Sequence, residues 1–145
     1  SRAIIAYLAA KLPGKALTPG DIKSQALVNQ WMSVEYSYFT PSAMKIIYEG
    51  LFAPMAGREP DQAKIDDGRK GLETPLTVLD KRLGEVEYVA GDFSIADICF
   101  MPYVEYLFAS KAGDLITDRK NVAAWWNRVS ERPSWQIASG KKTAA

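Results

Sequence analysis

Histidine is absent from the 145 residues, and that absence excludes more chemistry than any residue present suggests. Ser-His-Asp and Cys-His hydrolysis, HExxH zinc sites and imidazole proton shuttles all need the ring, so none operates within this chain. Cysteine occurs once, as Cys99, which forbids an internal disulfide and suits a thiol kept in a reducing cytosol. An excess of charge of one sign is missing too: eighteen Lys plus Arg face seventeen Asp plus Glu, a formal charge of +1. No basic field gathers phosphates, so nucleic acid is not an expected partner. No uncharged apolar run reaches the roughly 18 residues of a membrane span, and no membrane partner is expected. The chain has neither an initiator Met nor a signal-peptide pattern, and its first residues already read as amphipathic helix, so it is expected to be a fragment. Alternating strand patterns are also lacking; residues 85–90 are the only candidate, too short and isolated to make a sheet.

What is present is helical. The 48% hydrophobic fraction, in a chain well above the roughly 70 residues at which a core needs staples, predicts one packed domain. Ile4, Ile5, Leu8 and Leu12 mark a short helix stopped at Leu12-Pro13-Gly14. Asp21 is a cap for a second helix through Ile22, Ala26, Trp31, Val34 and Tyr38, which Thr40-Pro41 should break or kink. Met44, Ile47, Tyr48, Leu51, Phe52 and Met55 then form the cleanest apolar stripe in the chain. Ile65, Leu72, Leu76, Leu79, Leu83 and Val86 trace a bundle seam that should bend at Pro75 without ending there.

The most legible local signal is Phe93-Ser94-Ile95-Ala96-Asp97-Ile98. Ser94 and Asp97 stand at the two positions of a capping box, with Phe93 and Ile98 placed as a hydrophobic staple. The following helix, roughly to Ala109, is apolar around nearly its whole circumference and should be the buried central one. A last amphipathic stretch carries Val122, Trp125, Trp126 and Val129, with one tryptophan buried and the other partly exposed. The predicted class is therefore all-α, a bundle around a buried central helix.

Bottom-up, the residues offer little catalysis. Asp66-Asp67 and Glu85/Glu87 read as solvated surface, and Cys99 as a desolvated, inert thiol. Neither a catalytic residue nor a metal site is expected in this chain. The Tyr48/Phe52/Met55 stripe reads as simple core on its residues alone.

Several separated motifs nonetheless resemble one family. Ser1-Arg2-Ala3-Ile4-Ile5-Ala6-Tyr7-Leu8, the Gly91 to Ile98 box, Met101-Pro102-Tyr103 and the ending Trp125-Trp126 to Arg132-Pro133-Ser134-Trp135 look like the cytosolic glutathione S-transferases. Val34-Glu35 with Pro41, then Glu49, Pro54 and Gly57, and Leu79-Asp80 with Arg82-Leu83, resemble the phi class in particular. The resemblance covers the whole chain and implies that residues 1–145 are the family's C-terminal helical domain, starting after a thioredoxin-like domain that holds the catalytic hydroxyl. It implies that Ser1 binds the γ-glutamyl carboxylate of glutathione, although the family's preceding Glu is absent. It further implies that Tyr48, Phe52, Ala56 and Tyr106, with Met55 close by, wall a hydrophobic electrophile pocket, widened because Ala56 replaces a larger aromatic residue.

On that resemblance the function is glutathione conjugation, a detoxification chemistry of a cytoplasmic homodimer. Glutathione is co-substrate, no cofactor is expected, and this domain supplies the electrophile-site wall and subunit contacts. The alternative is a non-enzymatic protein-interaction module or a carrier of apolar ligands.

Overall fold

The computed structural model describes residues 1–11 and 17–143; the expected stop at Leu12, Pro13 and Gly14 lies outside them. The elements are α1 (Arg2–Lys11), α2 (Ile22–Val34), α3 (Thr40–Ile47), α4 (Ala53–Met55), α5 (Gln62–Leu83), α6 (Ile95–Ala109), α7 (Asp114–Thr117), α8 (Lys120–Ser130) and α9 (Pro133–Ala138). Among the described residues the only β pairing is an isolated bridge between Tyr88 and Gly91, as the short 85–90 candidate implied. None of these helices is long and apolar enough to cross a membrane.

Asp21 caps α2 as expected, accepting from the Ser24 N–H at 2.9 Å. The chain then runs as one rod from α2 to α4, because Thr40-Pro41 does not break it. Thr40 stays helical (φ −55°, ψ −45°), and the preceding turn, Glu35–Phe39, widens so that the Thr40 N–H donates to the Glu35 carbonyl five residues back. A proline lacks an N–H and its ring crowds the carbonyl four residues earlier; a wide π turn accommodates both defects inside a continuous helix. Pro54 repeats the device: Tyr48–Phe52 is a second π turn, with the Ala53 N–H donating to the Tyr48 carbonyl. The rod ends in a Schellman motif, with Gly57 at φ +70°, its N–H on the Pro54 carbonyl at 3.0 Å and the Arg58 N–H on that of Ala53 at 2.9 Å.

The widened turns also displace the buried face. Ala43, Ile46, Ile47 and Ala53 are buried, whereas Tyr48 and Met55 are exposed and Met44, Leu51 and Phe52 only half-buried. The expected stripe is therefore the edge of the core. In the second helix Trp31 is buried as expected, whereas Ile22 and Tyr38 are exposed and Val28 and Phe39 are buried in their place.

Helix α5 matches its seam better. Asp61 caps it, Leu72, Leu76, Leu79 and Leu83 are buried, and the helix continues past a buried Pro75. Gly68 lets the rod approach: a Cβ there would stand 2.8 Å from the Ile46 side chain and from the Ser42 carbonyl.

Helix α6 is the central one, burying Ile95, Ala96, Cys99, Phe100, Met101, Val104 and Leu107. The capping box is present: the Asp97 carboxylate accepts from the Ser94 N–H at 3.0 Å, and Ser94 Oγ accepts from the helix-start amides. Asp97 does more than close the box. It also accepts from the Val89 N–H at 3.1 Å and from Trp125 Nε1 at 2.8 Å, entirely out of solvent. Burial pushes its carboxyl above the usual range, while these donors from Trp125, Val89 and Ser94 pull it back. Trp125 and Trp126 are both buried, against the expectation of one: the Phe108 ring stacks on Trp126 at 5.9 Å and covers the face a lone helix would leave wet. Cys99 is buried, and desolvation raises its thiol to about 11, as an inert role requires.

Candidate functional site

The second π turn and the C-terminal half of α6 build an aromatic row. The Phe52 ring lies 6.3 Å from that of Tyr48 and 5.9 Å from that of Tyr106, both edge to face, a spacing at which aromatic rings attract. Yet Tyr48 is 50% and Tyr106 44% exposed. The three rings pack on each other and leave one side open, which is the property of a wall.

Gly50 sets the distance between the two halves of that wall. A Cβ at Gly50 would stand 2.9 Å from Ser110 Cβ and 3.0 Å from its carbonyl oxygen, so only glycine lets the π turn lie against the end of α6. Beneath the turn, Glu49 is buried and accepts from the Asp61 N–H at 3.2 Å and from Lys64 Nζ at 3.1 Å. The Asp61 amide first, then Lys64, hold its carboxyl below the usual range and tie the loop after α4 to the row.

The other candidates fall around this row. Met55 is 76% exposed and Ala56 is exposed at the close of the rod; they border the row without joining its ring contacts. Ser1 stands exposed just before α1, its carbonyl accepting from the Ile5 N–H. Its neighbour Arg2 clamps Glu35 in the first π turn, with Nε on Oε2 at 2.6 Å and Nη2 on Oε1 at 2.7 Å. Thr40 Oγ1 donates to the same carboxylate. Glu35 is fully buried, and desolvation pushes its carboxyl up against the pull of Thr40 and Arg2. The Arg2 guanidinium lies 4.7 Å from the Tyr36 ring centre and 5.9 Å from that of Tyr103. Tyr103 and Tyr106 are one helical turn apart on α6 and share a side of it. The structure thus brings the Ser1 end of α1 within a turn of the aromatic row.

Sequence reasoning missed several residues of this region. Tyr36 belongs to no motif or spacing pattern in the sequence, and Arg2, Glu35 and Tyr103 stand there only as members of motifs, with no role of their own. Arg58, whose guanidinium lies 5.5 Å from the Tyr48 ring centre, belongs to none of the motifs legible in the sequence. Among the described residues no group of three or more His, Cys, Asp or Glu side chains could hold a metal.

The family model for the glutathione S-transferase C-terminal domain matches residues 38–133, which hold the whole aromatic row. The chain belongs to the glutathione S-transferase family. This transferase domain is 38% identical to glutathione S-transferase F10 of Arabidopsis thaliana, over 97% of its own length and 67% of that protein. It superposes on a glutathione S-transferase-I bound with lactoylglutathione at a TM-score of 0.91, with 34% identity and 98% and 68% of the two chains covered. A maize glutathione S-transferase I in complex with an atrazine glutathione conjugate gives 0.90 at 33% identity, over 99% and 68%. The phi-like resemblance and the all-α bundle both stand. The domain serves glutathione conjugation, and the interaction-module or carrier alternative is not favoured. It spans about two thirds of the length of these relatives.

Proposed function

We propose that the transferase domain presents Tyr48, Phe52 and Tyr106, bordered by Met55 and Ala56, to a hydrophobic electrophile, while Ser1 faces glutathione. The observation that carries this reading is the half-open aromatic row, rings in mutual contact with one side left to solvent. Two structural relatives hold glutathione derivatives, lactoylglutathione and an atrazine conjugate; the row here would receive the apolar part of such a conjugate. Binding energy from the wall positions the electrophile for attack by the glutathione thiolate. The hydroxyl that stabilises that thiolate is proposed to lie in a thioredoxin-like unit partnering residues 1–145. The exposed apolar residues Ile4, Tyr7 and Leu8 of α1 fit a helix that packs against such a unit. A cytoplasmic homodimer that uses glutathione as co-substrate and needs no cofactor completes the reading.

The test has two arms. An uncharged naphthylamine dye should bind the 145-residue chain, and Phe52→Ala and Tyr106→Ala should each weaken it; unchanged binding in both variants would remove the wall. The chain alone should not conjugate glutathione to a chlorinated nitrobenzene, and turnover comparable with a full-length transferase would show that the catalytic hydroxyl has been misplaced.

A further inference from the structure

The aromatic row has two unlike ends. At the Tyr106 end it runs into apolar α6. At the Tyr48 end a cation stands over the ring: the Arg58 guanidinium carbon is 5.5 Å from the Tyr48 ring centre. The backbone sets that placement. Arg58 is the residue after the left-handed Gly57, and its N–H closes the Schellman motif on the Ala53 carbonyl, so its Cα cannot leave the Tyr48 turn without unwinding the end of the rod.

The guanidinium is also held by no ion pair at contact distance: among the described residues no carboxylate lies within 4.0 Å of it. Glu49, whose carboxyl the Arg58 charge helps to lower through space, takes its hydrogen bonds from elsewhere, from Lys64 Nζ at 3.1 Å and the Asp61 N–H at 3.2 Å. The guanidinium therefore keeps donors for a ligand, and its planar fork suits a carboxylate or sulfonate. A flat apolar molecule lying along Phe52 and Tyr48 would carry a substituent at its far end to Arg58.

Resting on the wall reading above, we propose that Arg58 is a specificity-determining residue: it selects electrophiles that join an aromatic body to an anionic group. The row supplies apolar contact to any aromatic ligand, and Arg58 discriminates among them. A neutral ligand gains nothing from the guanidinium, while an anionic one gains a screened ion pair above an aromatic face.

Two dyes with the same ring system separate the roles: 8-anilinonaphthalene-1-sulfonate and the uncharged N-phenyl-1-naphthylamine, titrated against the 145-residue chain. Arg58→Gln should weaken the sulfonate dye about fivefold, the scale of an exposed charge pair, and leave the neutral dye unchanged. Arg58→Glu should weaken the sulfonate dye further, and added salt should shrink the wild-type preference. Phe52→Ala should weaken both dyes. If Phe52→Ala weakens both and Arg58→Gln alters them equally or not at all, the charge role is overturned and the wall survives. If Phe52→Ala leaves both dyes unchanged, the wall fails and the proposal with it. Arg58 is exposed, so the thermal midpoint of its variants should match wild type, which separates a binding loss from unfolding.

Discussion

Two aromatic trios in this domain share a geometry and differ in everything else. Phe39, Phe100 and Trp125 meet edge to face at 5.2 and 6.3 Å; Tyr48, Phe52 and Tyr106 meet edge to face at 5.9 and 6.3 Å. The first trio is dry, and Trp125 Nε1 donates to the equally dry Asp97. The second leaves its tyrosines half in water. Ring contact alone therefore does not identify core. What distinguishes the two is whether the elements around them close: the first trio joins the rod, α6 and α8, whereas the second lies where the rod and α6 end.

That difference is sharpest under truncation. Phe100→Ala should cost about 3–5 kcal/mol by opening a cavity in the closed trio. Asp97→Ala should reach a similar about 3–5 kcal/mol, because it strands three buried donors at once. Urea unfolding would read both, and an unchanged midpoint for Asp97→Ala would mean that the hub of donors is not formed.

Gly50→Ala tests the boundary between the regions. Overpacking against Ser110 should cost about 1–3 kcal/mol and splay the row, so dye binding should fall along with the urea midpoint; a neutral result would mean that the π turn does not lie against α6. Phe52→Ala, in the open trio, should cost less than about 2 kcal/mol, the scale of partial side-chain burial, while weakening dye binding. A large stability loss with binding retained would move Phe52 into the core and erase the comparison.

The smallest effect is with pH. With no histidine, no imidazole titration contributes to the thermal midpoint between about pH 6 and 8. Glu49, Asp61, Asp67 and Asp114 are held below the usual carboxylate range by the Asp61 amide, the Lys64 amide, Lys45 and Arg69 respectively. Their share of stability is in full above that range and is lost as the pH falls from it through their lowered values. Glu35 and Asp97, raised chiefly by burial, work oppositely and lose stability as the pH climbs through their raised values. Glu49→Gln should therefore reduce the loss of midpoint on acidification, and an identical acid limb would show that Glu49 carries no such linkage.

How much of the fold and of the row is legible in the sequence depends on range. The capping box at Ser94 and Asp97, the cap at Asp21, the leucine seam of α5 and the buried α6 are readable because each rests on neighbours within a turn or two. The box alone argues for about 1 kcal/mol; that Asp97 also serves Val89 and Trp125 depends on tertiary placement no local spacing encodes. The stripe from Met44 to Met55 reads as core because periodicity assumes 3.6 residues per turn, and the wide turns before Pro41 and Pro54 break that count. One of Trp125 and Trp126 reads as partly wet because their own helix says nothing of Phe108. The row itself is named only through family resemblance; on spacing alone Tyr48 and Phe52 look like interior.

A π turn is, in effect, a helix with one residue added. Each of the two wide turns in the rod advances the residues beyond it by about 100° relative to an unbroken α-helix. Deleting one residue from Tyr48–Phe52, with Pro54 replaced, would let the helix close to its ordinary pitch and swing the end of the rod off its present heading, shifting with it the Glu49 tie to Asp61 and Lys64 and the Gly50 contact with Ser110. The proposed wall is thus adjustable by insertion and deletion as well as by substitution: one residue gained or lost in the turn, matched by a change at Pro54, would re-aim it, while the donors gathered by Asp97 lie outside the turn.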